Sequence, residues 1–140
     1  MISSLREETT RQQVLDRANG LCEYCHLPQS AYPVSFEIDH VIAKQHHGKT
    51  ILSNLALACL HCNGHKGPNI SGIDWLTSRS KIVRLFNPRR HKWDHHFRYD
   101  GPILIGKTAI GRVTITVLCM NDDVVVALRQ ELIEQGLFLA

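Results

Sequence analysis

The sequence lacks a long apolar run. Nothing in it approaches the roughly 20 residues of a spanning helix, and the opening MISSLREETTRQQ is charged and polar, without the hydrophobic region of a secretory leader. Both absences argue against a membrane role and make the cytoplasm the expected location. An extreme charge is also missing. The formal net charge is +3 with nine histidines neutral, which permits a polyanionic partner without demanding one. There is no low-complexity tract, and no internal repeat beyond two short cysteine pairs. With 140 residues the chain is expected to form one domain, 1–140, long enough to bury a core.

Acids are missing from one stretch in particular. RSKIVRLFNPRRHKW, Arg79 to Trp93, carries Arg79, Lys81, Arg84, Arg89, Arg90 and Lys92 and no carboxylate, whereas NDDVVVALRQELIEQ near the C-terminus is acidic. Such a run is either a solvated face or a stripe that contacts phosphates.

What the sequence does have is cysteine in pairs. Of five cysteines, four form CEYC (22–25) and CLHC (59–62), and Cys119 stands alone. In a reducing compartment two C-x2-C pairs point to a metal and not to disulfides. Cys22, Cys25, Cys59 and Cys62 supply the four thiolates of a tetrahedral structural zinc site. Such a site leaves no open coordination position, so this zinc should hold structure and do no chemistry. Cys119 reads as a core residue in a strand.

Periodicity and punctuation give a coarse map. A helix is expected over Leu5–Ala18, stopped by Asn19-Gly20, then the first knuckle and a Pro/Ser-rich loop. Ser35–Ile42 reads as a strand, AKQHHGKT as a loop and ALAC as the returning strand. The second knuckle should continue into a short helix ended by Gly67-Pro68. Beyond it, Ile70–Leu85 mixes turn residues with helix, and NPRRHKWDHHFRYDG reads as an ordered surface loop anchored by Trp93, Phe97 and Tyr99. Ile103–Ile105 and Val113–Val117 read as two strands, with Gly106 and Gly111 bracketing the connection. Asn121 is the expected N-cap of a helix that runs to about Gln135 and stops at Gly136.

Between and after the cysteines lie Asp39-His40 on the expected strand, Asn54 in SNLALAC, and Asn63 directly after the second knuckle. In order, CEYC, EIDH, SNLALAC and CLHCNGHK resemble the HNH nuclease family. The match is tight over Cys22–Lys66 and looser through LFNPRRHKWDHHF and IGKTAIGRVTITVLCMN, which look like the C-terminal extension of a bacterial branch. Two departures stand out: Asn63 replaces the last His of the name motif, and the Pro that usually follows Asp-His is replaced by Ala43 or Lys44.

The resemblance implies an α+β protein. It would have a ββα-metal core (about 20–68), stabilised by the four-cysteine zinc, and a β-hairpin plus helix extension (about 69–140). It also implies that Asp39 and Asn63 hold a catalytic Mg²⁺ or Mn²⁺, that His40 is the general base, and that Asn54 holds the loop and so fixes His40. Taken alone, Asn54 reads as an ordinary cap of the SNL turn.

The residues support the same chemistry on their own. Phosphodiester hydrolysis needs a deprotonated water in line with the leaving oxygen, and a cation for the charge that builds up. A neutral imidazole suits the first task, and hard oxygen donors suit a loosely held Mg²⁺ or Mn²⁺. Neighbours on a strand point to opposite faces, so Asp39 and His40 can serve one phosphate only if the strand ends or twists near His40.

Lys66, Arg84, Arg89, Arg90 and Lys92 are the candidate nucleic-acid contacts. His65 reads as a surface residue or a third metal ligand. His46, His47, His91, His95 and His96 read as solvated or near phosphate, in preference to a second metal site. The expected function is a metal-dependent DNA endonuclease. A non-catalytic zinc-stabilised binding module and an RNA-cleaving nuclease are the alternatives, and both monomer and homodimer stay open.

Overall fold

The computed structural model describes residues 2–77 and 80–138; Arg79 of the basic run lies outside the described residues. The fold is mixed α/β, with five helices and three two-stranded antiparallel sheets among the described residues. None of these helices is long and apolar enough to cross a membrane.

Helix α1 (Ile2–Arg17) buries Val14 and ends where Asn19 (φ 54°) and Gly20 (φ 68°) turn left-handed. Two of its arginines lash it to the next layer. Arg11 donates to the Phe36 carbonyl at 2.9 Å, and Arg17 donates to the carbonyls of Leu52 (2.9 Å) and Leu55 (2.6 Å).

Strands β1 (Glu37–His40) and β2 (Leu55–Ala58) pair antiparallel, with Asp39 opposite Ala56 and His40 opposite Leu55. All four residues of β2 are buried, because α1 and the knuckles cover it. Its free edge is occupied by Glu23. That residue's N–H donates to the Leu57 carbonyl (2.8 Å), and its carboxylate accepts from the Leu57 N–H (2.8 Å). Helix α2 (Leu60–Lys66) follows, its first turn fixed by the Cys59 sulfur accepting from Cys62 N.

Beyond α2 the structure corrects several expectations. The described residues of Ile70–Leu85 contain no helix; strands β3 (Ser71–Asp74) and β4 (Lys81–Arg84) form a hairpin. It packs on a later helix through Gly72, where an added Cβ would lie 2.7–2.8 Å from Val113 and Val117. Asp74 is buried by an ion pair with Arg112 (2.9 Å). The expected loop over 87–101 is partly regular, holding α3 (Trp93–His96) and β5 (Phe97–Asp100), which pairs with β6 (Ile103–Gly106).

Val113–Val117 is not a strand but lies in helix α4 (Ala109–Val117). The Val-Thr alternation mimics a strand, yet Val113, Thr114 and Leu118 are buried along one helical face. The threonine hydroxyls bond the carbonyls four residues back, Thr114 to Ile110 (2.7 Å) and Thr116 to Arg112 (3.1 Å). Gly106 and Gly111 do not bracket a turn; they allow backbones to touch. A Cβ at Gly111 would stand 2.2 Å from the His96 carbonyl, and one at Gly106 2.5 Å from Arg112 N.

Cys119 is correspondingly not in a strand. It occupies the turn after α4 with φ 50° and is half-buried. The last helix, α5 (Asp123–Glu134), is capped by Asp122 and not by Asn121. Asn121 clasps β6 instead, accepting from Leu104 N (2.9 Å) and donating to Leu104 O (2.8 Å). Fully buried Arg129 donates to the carbonyls of Pro102 (2.8 Å) and Met120 (2.7 Å) and to Asn121 Oδ1 (3.1 Å), with its guanidinium 5.3 Å from the Tyr99 ring centre.

Candidate active site and metal centre

The two knuckles converge. Cys22, Cys25, Cys59 and Cys62 are all buried, and their sulfurs lie within 4.8 Å of one another. A tetrahedral zinc with Zn–S of about 2.3 Å needs sulfurs roughly 3.8 Å apart. The Cys25–Cys59 separation is 3.7 Å. Two sulfurs also accept backbone N–H bonds within their own knuckles, Cys22 from Cys25 N (3.5 Å) and Cys59 from Cys62 N (3.4 Å). The four sulfurs therefore fit a structural zinc. The aromatic anchors reach this centre from the C-terminal half: Trp93 Nε1 donates to the Tyr24 carbonyl (2.8 Å) and the Tyr99 hydroxyl to the Cys25 carbonyl (2.6 Å).

Next to it, β1 ends at His40, where the expected break falls. Asp39 points inward and is 5 % exposed, while His40 is half-exposed. The Tyr24 hydroxyl donates to Asp39 Oδ2 at 2.6 Å, and Lys66 Nζ lies 3.2 Å from both carboxylate oxygens and 3.1 Å from the His40 carbonyl. Burial pushes the Asp39 carboxyl above its ordinary value, against the opposing pull of Lys66 and Tyr24.

His40 is shifted the other way. Partial burial, then Lys44, push its imidazole below the ordinary value, with Asp39 opposing. It is thus an uncharged proton acceptor at neutral pH. Its Nε2 shares a 2.8 Å hydrogen bond with the Thr50 hydroxyl.

Asn54 braces the loop between. Its Oδ1 accepts from Ile42 N (2.9 Å), its Nδ2 donates to the carbonyls of Ile42 (3.0 Å) and Lys49 (2.9 Å), and its own carbonyl accepts from Val41 N (2.9 Å). It makes no side-chain bond to the short helical turn of Leu52–Asn54. Asn63 sits on α2 three residues before Lys66, hence on the same helical face. Lys66 reaches Asp39, so that face turns toward β1. Asp39 and Asn63 offer the hard oxygens that suit Mg²⁺ or Mn²⁺.

The basic candidates separate. Arg84, Arg90 and Lys92 are exposed. Lys66 is only 1 % exposed and engaged by Asp39, and Arg89 is half-buried in an ion pair with Glu23. Neither of these two is free for a phosphate here, because each pairs with a carboxylate, the buried Asp39 or the half-buried Glu23. The loop histidines do not gather as ligands. His91 accepts from Asn87 N (3.0 Å) and His96 bonds the Thr108 hydroxyl (2.6 Å). Among the described residues the metal-competent groups are the four cysteines and a trio of His61, His65 and Asp122.

Sequence reasoning missed Tyr24, Thr50 and Glu23. Tyr24 gives the only signal, a phenol between two cysteines that would need a polar partner once buried.

The segment with this geometry also has relatives. Residues 22–69 match the HNH endonuclease family. This interval holds both knuckles, Asp39, His40, Asn54, Asn63 and Lys66. The chain is also 27% identical over 111 residues to the Septu protein PtuB of Bacillus thuringiensis, covering 78% of this chain and 40% of that protein. The chain thus spans well under half the length of that relative. No solved structure matches at a significant level.

Proposed function

We propose that the protein is a divalent-metal-dependent endonuclease that hydrolyses phosphodiester bonds in DNA, with residues 1–140 working as one HNH nuclease domain. The observation that carries this reading is the end of β1. There a buried carboxylate and a half-exposed imidazole stand on consecutive residues, and Lys66 of α2, the helix that carries Asn63, pairs with the carboxylate.

His40 accepts a proton from the attacking water, and its lowered pKa keeps it ready to do so at neutral pH. Thr50 restrains the ring through Nε2, and Asn54 holds the loop that follows. Asp39 and Asn63 would hold Mg²⁺ or Mn²⁺, which supplies positive charge to the scissile phosphate and the leaving oxygen. Tyr24 fixes the orientation of Asp39, and Lys66 compensates its charge. Arg84, Arg90 and Lys92 provide exposed cations along the backbone path. The four cysteines hold structural zinc.

A binding module without turnover is the second reading, favoured by one observation: the Lys66 ammonium already satisfies Asp39. Incubation of supercoiled plasmid with Mg²⁺ or Mn²⁺ decides between them. The endonuclease reading requires conversion to nicked or linear forms by wild type and none by His40→Ala. DNA retention without cleavage by wild type supports the binding module. Competition with structured RNA tests the substrate.

A further inference from the structure

Helix α2 presents a second chemical face. His61 and His65 are four residues apart, so both project on one side of it, toward the turn between α4 and α5. Asp122 stands on that turn. One ligand atom from each of His61, His65 and Asp122 lies within 4.8 Å of the other two. The two rings are 4.3 Å apart between centroids, tilted by 49°.

Two details of bonding make this more than proximity. His61 Nε2 lies 2.7 Å from the Cys119 carbonyl. A carbonyl only accepts, so Nε2 carries the proton and Nδ1 keeps its lone pair. A backbone acceptor that sets the tautomer in this way is the usual outer support of a metal-binding histidine. Asp122 caps α5 through its backbone alone, and its side chain makes no capping bond. Its carboxylate remains available.

We propose that His61, His65 and Asp122 form a second, surface site for a borderline divalent transition metal such as Zn²⁺, separate from both the four-sulfur centre and the Asp39 site. Two imidazole nitrogens and one carboxylate oxygen suit Zn²⁺, Co²⁺, Ni²⁺ or Cu²⁺ far better than Mg²⁺. Water completes the coordination, since His65 and Asp122 are exposed. The ion joins α2, which carries Cys62 and Asn63, to the head of α5. It fastens the C-terminal helices to the segment that holds the candidate catalytic groups.

Untagged protein carrying one zinc on its cysteines is titrated with Co²⁺ and followed by visible absorption. One further equivalent is expected, with the weak bands of nitrogen and oxygen ligands and no sulfur charge-transfer band. His65→Ala and Asp122→Asn should each weaken it at least tenfold. Both residues are exposed, and unchanged circular dichroism verifies the fold. Asp39→Asn and Asn63→Ala should leave it intact. The proposal is overturned if wild type takes up no further ion, if the two site variants bind it as wild type does, or if Asp39→Asn abolishes it.

Discussion

The two ends of this molecule are held together by different means. In the segment 22–69 the regular structure is slight, two four-residue strands and a seven-residue helix, and four sulfurs at its centre converge on a site suited to zinc. From 97 to 138 there is no such cluster. There a hairpin and two helices close around Phe97, Leu104, Val113, Leu118 and Leu132, with buried Arg129 tying three acceptors together. The difference teaches where a metal is needed. The 22–69 segment buries apolar residues of its own, Leu27, Phe36 and Leu57 among them, but little regular structure links its two knuckles, and a zinc on the four sulfurs would join them.

The sharpest way to break that contrast is to remove one sulfur. Cys62→Ser should release the zinc and unfold the 22–69 segment, because structural zinc contributes on the order of 10 kcal/mol, comparable to the whole stability of a small domain. Metal analysis with near-UV circular dichroism checks this; a folded, zinc-free variant would mean that packing alone suffices.

His40→Ala should move activity and not the fold. Loss of a general base lowers turnover by roughly 10²- to 10⁴-fold, with the melting curve unchanged. The pH dependence has a definite sign. Because the His40 value is lowered, the base form persists below the ordinary imidazole range of about 6.5. Cleavage should therefore fall only as pH drops through that lower value, and stay level from there to neutrality. A pH–rate profile with its acid limb above pH 7 would contradict the assignment.

On the other side, Arg129→Met should cost about 3 kcal/mol, since it leaves two carbonyls and the Asn121 amide oxygen without their charged donor. Zinc content should not change, and urea unfolding reads the loss. The smallest effect belongs to the fifth cysteine. Cys119→Ser should shift stability by no more than about 0.5 kcal/mol, as its half-buried thiol makes only a 3.8 Å contact with the Thr116 carbonyl.

Legibility in the sequence follows the same division. Around the metal, residue identity and spacing are the structure. The four sulfurs converge as their spacing implied, while Asp39 and His40 end β1, Asn54 braces the loop after it and Asn63 lies on α2. In the C-terminal half, tertiary contacts overrule local pattern. The Val-Thr alternation of 113–117 folds as a helix whose backbone, through Gly106 and Gly111, presses against β6 and α3, contacts that the alternation itself does not encode. The β3–β4 hairpin was hidden for the same reason, its docking on α4 resting on Gly72 and on Asp74 with Arg112. In the site, Lys66 and Arg89 read as phosphate contacts from charge alone. Their partners, Asp39 and Glu23, lie far off in sequence and become neighbours only in the fold.

On the proposed reading, sulfur holds this protein and the end of β1 does its chemistry. That reading is tested most directly by measuring zinc content and plasmid cleavage on one preparation of His40→Ala beside wild type, in Mn²⁺. The expected result is equal zinc, equal melting and cleavage by wild type only. Cleavage by His40→Ala at the wild-type rate, with its zinc intact, would contradict it.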